Sequence, residues 1–126
     1  MNTLAMNIMV VDDEPFIREV MSDFLCMHGY KVTSFGSGED AVSGINGLGP
    51  DMILLDIWMP GMSGLETLEK IRKDNNKVGV VMLSAFGDDE TVEDAMNMGA
   101  DFYLQKPIEF KRLLEILENW KKKEER

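Results

Sequence analysis

Short apolar runs alternate with amphipathic segments along this chain. Apolar runs of four to six residues bounded by turn signals are typical of buried strands, and burial on both faces is typical of a parallel sheet. The pattern predicts strands at residues 8–11, 31–35, 52–55, 78–83 and 102–104.

Each predicted strand is followed by a segment with apolar residues at helical spacing. The helices are predicted to start at Pro15, after Ser37, at a capping box of Ser63 and Glu66, after Asp88 or Asp89, and before the apolar run at 113–120. Strict alternation predicts an α/β fold with one doubly wound, five-stranded parallel sheet and five helices. We expect the order 2-1-3-4-5, one domain over residues 1–126, and a solvated tail or the start of a linker at 121–126.

The stretch MILLDIWMPGMSG at 52–64 is the most informative part of the chain. An apolar run ends in Asp56, a Pro-Gly turn follows, and a helix begins at Ser63. Asp56 is therefore expected at the carboxyl end of a buried strand. Open α/β sheets bind their ligands at that edge.

Composition narrows the classes of function. The chain has 126 residues, of which 44% are hydrophobic and 29% are charged, as in an ordinary globular domain. Its 23 acids and 13 bases leave a formal net charge of −10, which argues against direct contact of this domain with nucleic acid. The chain contains neither an apolar run of membrane-spanning length nor a signal-peptide pattern, so we expect a cytoplasmic protein without membrane contact. The single cysteine, Cys26, is expected in the core.

Four of the five predicted strands end in residues that can take part in chemistry. Asp12 and Asp13 end the first, Asp56 the third, Ser84 the fourth and Lys106 the fifth. In the order 2-1-3-4-5 a crevice opens between the first and third strands, so three carboxylates would face each other there. At ~4 Å and an effective dielectric of ~20, two such charges repel by about 4 kcal/mol.

A bound divalent cation would offset this repulsion. Ligands that are all oxygen atoms favour a hard ion, so we expect Mg²⁺, with Mn²⁺ as a substitute. The ammonium of Lys106 and the hydroxyl of Ser84 suit the oxygens of a phosphoryl group. Asp56 lies centrally among these residues and is the candidate nucleophile for an acyl phosphate.

Each of these residues also has an ordinary structural explanation. Asp56 could cap the next loop, Asp12 and Asp13 suit a helix start, Ser84 is a common strand end, and most lysines such as Lys106 are surface residues. These explanations do not predict that all of them end strands of one sheet. The combination therefore favours a site for phosphoryl transfer.

Four motifs carry a resemblance to a known family: VVDDEP at 10–15, LLDIWMPGMSG at 54–64, LSAFG at 83–87 and GADFYLQKP at 99–107. With these motifs at this spacing, the chain resembles a receiver domain of the two-component response regulator family. The fold implied is flavodoxin-like, also called CheY-like. The function implied is that of a signalling switch in a phosphorelay, which is not an enzyme beyond assisting its own phosphorylation and dephosphorylation.

The resemblance implies a phosphoacceptor and a metal site. Asp56 would accept a phosphoryl group from a phosphohistidine on a sensor histidine kinase or phosphotransfer protein. Asp13 and Asp56 would bind Mg²⁺ directly, together with the backbone carbonyl of Trp58. Asp12 would act through a metal-bound water.

The resemblance also implies a switch. Lys106 would pair with the phosphoryl oxygens, Ser84 would move to donate a hydrogen bond to them, and Tyr103 would turn inward into the vacated space. The surface of the fourth helix, fifth strand and fifth helix would then change. The peptide bond between Lys106 and Pro107 is expected to be cis.

Trp58 and Phe86 lie two residues after the phosphoacceptor and two residues after Ser84. In the family, these positions flank the path of the hydrolytic water. Both side chains are large and apolar here, so neither is expected to orient water by hydrogen bonding, and we predict slow loss of phosphate.

Other classes fit the sequence less well. A P-loop NTPase needs a Gly-rich Lys-Ser/Thr motif after the first strand, where this chain has Asp-Asp-Glu-Pro. A phosphatase with an aspartyl nucleophile needs an acid at position 58, which is Trp. A flavodoxin-like cofactor binder needs a loop rich in hydroxyl groups and glycine after the first strand. The alternative that stays open is a degenerate receiver that acts as a phosphorylation-independent interaction module. Homodimerisation of the phosphorylated form also stays open.

Overall fold

Five parallel strands alternate with five helices in the computed structural model, which describes residues 6–74 and 77–124. They form one sheet in the order β2-β1-β3-β4-β5, as predicted. The strands are β1 (Asn7–Val11), β2 (Lys31–Phe35), β3 (Met52–Asp56), β4 (Gly79–Ser84) and β5 (Phe102–Gln105). The helices are α1 (Pro15–Met27), α2 (Gly38–Leu48), α3 (Gly64–Asp74), α4 (Asp89–Asn97) and α5 (Phe110–Glu124).

The predicted strand boundaries are right to within one residue at either end. The predicted tail begins within the last turns of α5, which continues to Glu124. Residues 125 and 126 of that tail lie outside the described residues, as do residues 1–5 of the predicted domain.

Alternate residues of the central strands enter two hydrophobic layers, because successive strand side chains point to opposite faces of a sheet. One layer lies under α2, α3 and α4, and it includes Met9, Ile53, Leu55 and Met82. The other lies under α1 and α5, and it includes Ile8, Leu54, Val81 and Leu83. β3 is buried along its whole length, so its last residue is held rigidly at the sheet edge.

The helix starts agree with the predicted caps at two positions and differ at a third. In the capping box, Ser63 N–H donates to Glu66 Oε1 at 2.9 Å and Glu66 N–H donates to Ser63 Oγ at 3.2 Å. Ser37 Oγ accepts from Asp40 N–H at 3.1 Å. Asp88 is the N-cap residue of α4, but its side chain makes no cap hydrogen bond to that helix.

Two side chains of α1 are exposed although neither is charged. The expectation that Cys26 lies in the core is wrong, since it is exposed, and Phe16 is 70% exposed. The buried residues of α1 are Met21 and Leu25. A helix turns by about 100° per residue, so the neighbour of Leu25 faces away from the core.

Candidate functional site

The structure brings three carboxylates together at the carboxyl end of the sheet. Asp12 and Asp13 follow β1 and Asp56 ends β3, and each offers an oxygen within 4.8 Å of the others. Asp12 is 0% exposed and Asp56 is 7% exposed, whereas Asp13 is half-buried. These are the residues that the sequence predicted on either side of the crevice.

Lys106 reaches this cluster from the far side of β4. Its Nζ lies 2.9 Å from Asp12 Oδ2 and 3.3 Å from Asp56 Oδ1. The peptide bond between Lys106 and Pro107 is cis, as the resemblance implied. One ammonium group is therefore shared by two buried carboxylates.

Burial and neighbouring charges shift the titration of this site. Burial, followed by the charges of Asp12 and then Asp13, outweighs the opposing effect of Lys106 and raises the pKa of Asp56 to about 6. Burial alone would lower the pKa of Lys106, but its hydrogen bond to Asp12 and the charge of Asp56 raise it. At neutral pH, Asp56 is therefore ionised and Lys106 is charged.

Asp12 is held in place from several directions. Its Oδ1 accepts from Glu14 N–H at 2.9 Å, and its Oδ2 accepts from Lys106. Arg18 of α1 donates from Nη1 to the Asp12 carbonyl oxygen at 2.7 Å. Arg18 could not be predicted as part of the site, because a polar residue on an amphipathic helix gives no signal that it reaches back to the preceding loop.

Ser84 and Tyr103 lie on the same face of the sheet. Ser84 is 3% exposed, and its hydroxyl donates to the Leu104 carbonyl over a long 3.4 Å, so this hydrogen bond is weak. Tyr103 pairs in register with Met82, two residues before Ser84, and side chains two apart share a face. Tyr103 is 54% exposed, so the structure does not bring it into the crevice.

Two aromatic side chains flank the rim of the crevice. Trp58 is 58% exposed and Phe86 is 91% exposed. The indole Nε1–H of Trp58 donates to Asp88 Oδ1 at 3.0 Å, and the expectation that Trp58 does not orient water stays a prediction. The other carboxylate oxygen of Asp88 accepts from Ala85 N–H at 2.7 Å.

The loop after β3 depends on a glycine. Gly64 N–H donates to the Ile57 carbonyl at 2.7 Å, which folds the loop back onto the strand end. A Cβ at Gly64 would collide with the Asp56 carbonyl oxygen and lie 2.7 Å from Ile57 Cα. Any other residue would therefore push the start of α3 away from Asp56.

The donor set of the cluster fits a hard divalent cation. The group that could hold a metal ion consists of the three carboxylates, two of them buried, with Lys106 as the ammonium in contact. The carboxylates carry more negative charge than the single ammonium group can neutralise, and this excess favours binding of a cation at the cluster. Carboxylate oxygens favour Mg²⁺ over softer metals.

Comparison with known proteins gives consistent results. The family model described as response regulator receiver domain matches residues 8–118. The probable C4-dicarboxylate response regulator DctR of Bacillus subtilis is 34% identical over 116 residues, which cover 90% of this chain and 51% of DctR. The DNA-binding response regulator MtrA of Mycolicibacterium smegmatis is 36% identical over 114 residues, which cover 90% of this chain and 50% of MtrA. The crystal structure of the receiver domain of NtrX from Brucella abortus has a TM-score of 0.85 and 34% identity, and the match covers 90% of this chain and 96% of that domain.

The chain spans about half the length of these two curated relatives. Because the name of MtrA describes a DNA-binding protein, the expectation that this domain does not contact nucleic acid stays a prediction. Within the described residues, the structure has no helix with the length and apolar character needed to cross a membrane. The expected cytoplasmic location stays a prediction.

Proposed function

The chain belongs to the response regulator receiver family, and on that premise we propose that it is a phosphorylation-activated switch in a two-component phosphorelay. Asp56 accepts a phosphoryl group from a phosphohistidine on a sensor histidine kinase or phosphotransfer protein. One observation carries the proposal: Lys106 Nζ lies 3.3 Å from Asp56 Oδ1 within a cluster of three carboxylates.

The chemistry is a displacement at phosphorus. A carboxylate oxygen of Asp56 forms the new O–P bond, and the P–N bond to the donor imidazole breaks. The electron pair of that bond returns to the imidazole ring, and the product is an acyl phosphate. The ammonium of Lys106 is close enough to Asp56 to pair with the phosphoryl oxygens.

The proposed metal ligands are Asp13, Asp56 and the backbone carbonyl of Trp58, with Asp12 acting through a water. This division is supported by the contacts of Asp12, whose two oxygens already accept from Glu14 N–H and Lys106. Asp13 is half-buried and lies in the same cluster. When bound, Mg²⁺ supplies positive charge that offsets repulsion between the carboxylates and the phosphoryl oxygens.

The proposed switch uses Ser84 and Tyr103. The long 3.4 Å hydrogen bond of the Ser84 hydroxyl is easily exchanged for one to a phosphoryl oxygen. Tyr103 lies on the same sheet face and follows into the space that Ser84 leaves. The phosphoryl group adds about two negative charges, and its contacts with Ser84 and Lys106 select the active arrangement of α4, β5 and α5.

Labelling with acetyl phosphate tests the proposal. In the presence of Mg²⁺, we expect mass spectrometry to show one added phosphoryl group, which Asp56→Asn abolishes and a metal chelator suppresses. Asp89→Asn makes the same substitution at an exposed acid that starts α4, and we expect it to be labelled like the wild type. Folded wild-type protein that takes up no phosphoryl group would favour the phosphorylation-independent interaction module instead.

A further inference from the structure

Asp88 connects two loops at the mouth of the crevice. Its Oδ1 accepts from the indole N–H of Trp58, 30 residues earlier in the chain, at 3.0 Å. Its Oδ2 accepts from Ala85 N–H at 2.7 Å. We call these two hydrogen bonds the Asp88 bridge, since they link the loop between β3 and α3 to the loop between β4 and α4.

The carboxylate of Asp88 forms the Asp88 bridge and does not cap α4. An aspartate at an N-cap position usually accepts from a backbone N–H in the first helical turn. Asp88 occupies the N-cap position of α4 but makes no side-chain cap bond. Both of its oxygens accept hydrogen bonds from groups that lie before the helix.

The Asp88 bridge acts on the residue that directly follows Ser84. The hydrogen bond to Ala85 N–H is 2.7 Å long, whereas the Ser84 hydroxyl is held only by a 3.4 Å contact to Leu104. A bond to a carboxylate is also stronger than one between neutral groups. Of the two side chains, Asp88 therefore holds this loop more tightly than the Ser84 hydroxyl does.

A shift of Ser84 toward Asp56 moves Ala85 relative to the loop that carries Trp58. Such a shift must break or rearrange the Asp88 bridge. We propose that Asp88 is a positioning residue, which holds the β4–α4 loop against Trp58 and opposes the movement of Ser84 that accompanies phosphorylation. This proposal rests on the function proposed above for Asp56.

The affinity for a phosphoryl mimic tests the effect on the switch. Removing a bond that stabilises the resting state enlarges the fraction of protein ready to bind, and the apparent affinity rises accordingly. With beryllofluoride and Mg²⁺, we expect Asp88→Ala and Trp58→Phe each to lower the half-saturating concentration about two- to tenfold, the factor for one ordinary hydrogen bond. The double variant should have the same half-saturating concentration as Asp88→Ala alone, because Asp88→Ala already removes the one bond that Trp58→Phe removes.

Charge must be separated from hydrogen bonding in this test. Asp88→Ala removes a negative charge near an anion site, whereas Trp58→Phe leaves the charge unchanged. Asp89→Ala removes the same charge at the next residue, which is exposed, and we expect its half-saturating concentration to equal that of the wild type. An equal gain in affinity for Asp89→Ala and Asp88→Ala would overturn the proposal.

Fluorescence quenching by acrylamide tests the bridge without any phosphoryl mimic. The second tryptophan, Trp120, is 8% exposed, so the quenched emission reports mainly on Trp58. We expect stronger quenching in Asp88→Ala and unchanged quenching in Asp89→Ala. Unchanged quenching in both variants would overturn the proposal.

The two proposals fail in different ways. Wild-type protein that binds no beryllofluoride would overturn both the function proposed for Asp56 and the role of Asp88. Wild-type binding with unchanged affinity in Asp88→Ala and Trp58→Phe would overturn the role of Asp88 alone. Circular dichroism of each variant shows whether it is folded. Should Asp88→Ala fail to fold, Trp58→Phe still tests the proposal, because it keeps an aromatic ring at an exposed position.

Discussion

Asp56 is ionised at neutral pH although its surroundings disfavour the ionised form. Burial and the charge of Asp12 raise its pKa to about 6, from 3.8 in an unperturbed chain. The folded protein therefore binds a proton at Asp56 more tightly than the unfolded protein does. The resulting stabilisation is complete below pH 3.8 and is lost as the pH rises through about 6.

Replacing Asp56 with an uncharged isostere should remove this penalty. Without divalent ions at pH 7.5, we expect Asp56→Asn to raise the free energy of unfolding by up to about 3 kcal/mol, since each pKa unit is worth about 1.4 kcal/mol. Near pH 4 the difference from wild type should shrink toward zero. Urea unfolding between pH 4 and 8 measures it, and Asp89→Asn controls for the net charge. Equal gains in both variants would assign the effect to net charge instead.

The exposed rings of Trp58 and Phe86 should control how long a phosphoryl group persists. Neither ring offers water a hydrogen bond at the rim, because the indole N–H of Trp58 is bound to Asp88. We expect Trp58→Asn with Phe86→Glu to speed phosphate loss about tenfold, the effect of one hydrogen bond to the attacking water. Mass spectrometry after removal of acetyl phosphate measures the decay.

The control for this prediction is Trp58→Phe, which keeps an apolar ring at the rim. It should retain slow phosphate loss even though it lacks the bond to Asp88. Identical decay in the wild type and in the double variant would contradict the role assigned to the two rings.

Among the helices and strands, α3 is joined to its neighbours by Arg72. Its guanidinium donates to the carbonyls of Gly99 at 2.9 Å and Val78 at 2.7 Å, and to Asp101 Oδ2 at 3.0 Å. Asp101 also accepts from Val80 N–H at 2.9 Å. Arg72 thereby connects the end of α3, the start of β4 and the loop after α4, at the opposite edge of the sheet from Asp56.

Removing this guanidinium should weaken the fold without changing the chemistry. We expect Arg72→Ala to lower the free energy of unfolding by about 2–4 kcal/mol, because carbonyl and carboxylate acceptors lose their donor. Lys73→Ala, at the adjacent exposed position, should change it by less than about 0.5 kcal/mol. Urea unfolding measures both, and labelling by acetyl phosphate should be unchanged in Arg72→Ala under folding conditions. A loss below about 1 kcal/mol would contradict this account.

For the whole molecule, binding of the proposed ion should be linked to folding. The net charge is −10, and the acidic cluster exists only when β1 and β3 are paired, so a cation bound there stabilises the folded state alone. At ten times its Kd, Mg²⁺ should add about 1.4 kcal/mol and raise Tm by about 4–6 °C. The gain should shrink as the pH falls through about 6, because protons then compete with the ion at Asp56.

Thermal unfolding with and without Mg²⁺ measures this linkage. NaCl at matched ionic strength controls for screening of the net charge. Asp13→Asn removes one proposed ligand and should show a smaller rise in Tm than the wild type. An equal rise in both proteins would mean that the ion acts elsewhere.

At the scale of the whole molecule, the sequence alone determined the fold. Apolar runs and helical repeats predicted five strands to within one residue, and strict alternation predicted a parallel sheet, whose expected order 2-1-3-4-5 is the one observed. The same patterns predicted that Asp12, Asp13 and Asp56 would meet at one edge, as they do. These features follow from local periodicity and chain topology, which neighbouring residues encode.

The tertiary structure alone decided which side chains are in contact. Lys106 Nζ donates to Asp12 Oδ2 at 2.9 Å, although the two residues are 94 positions apart in the chain. The indole of Trp58 donates to Asp88, for which the sequence suggested only the role of a helix cap. Cys26 proved exposed, because one residue of helical rotation separates it from the buried stripe. Such contacts depend on how elements pack and how far side chains reach, and neither quantity is a property of any local stretch of sequence.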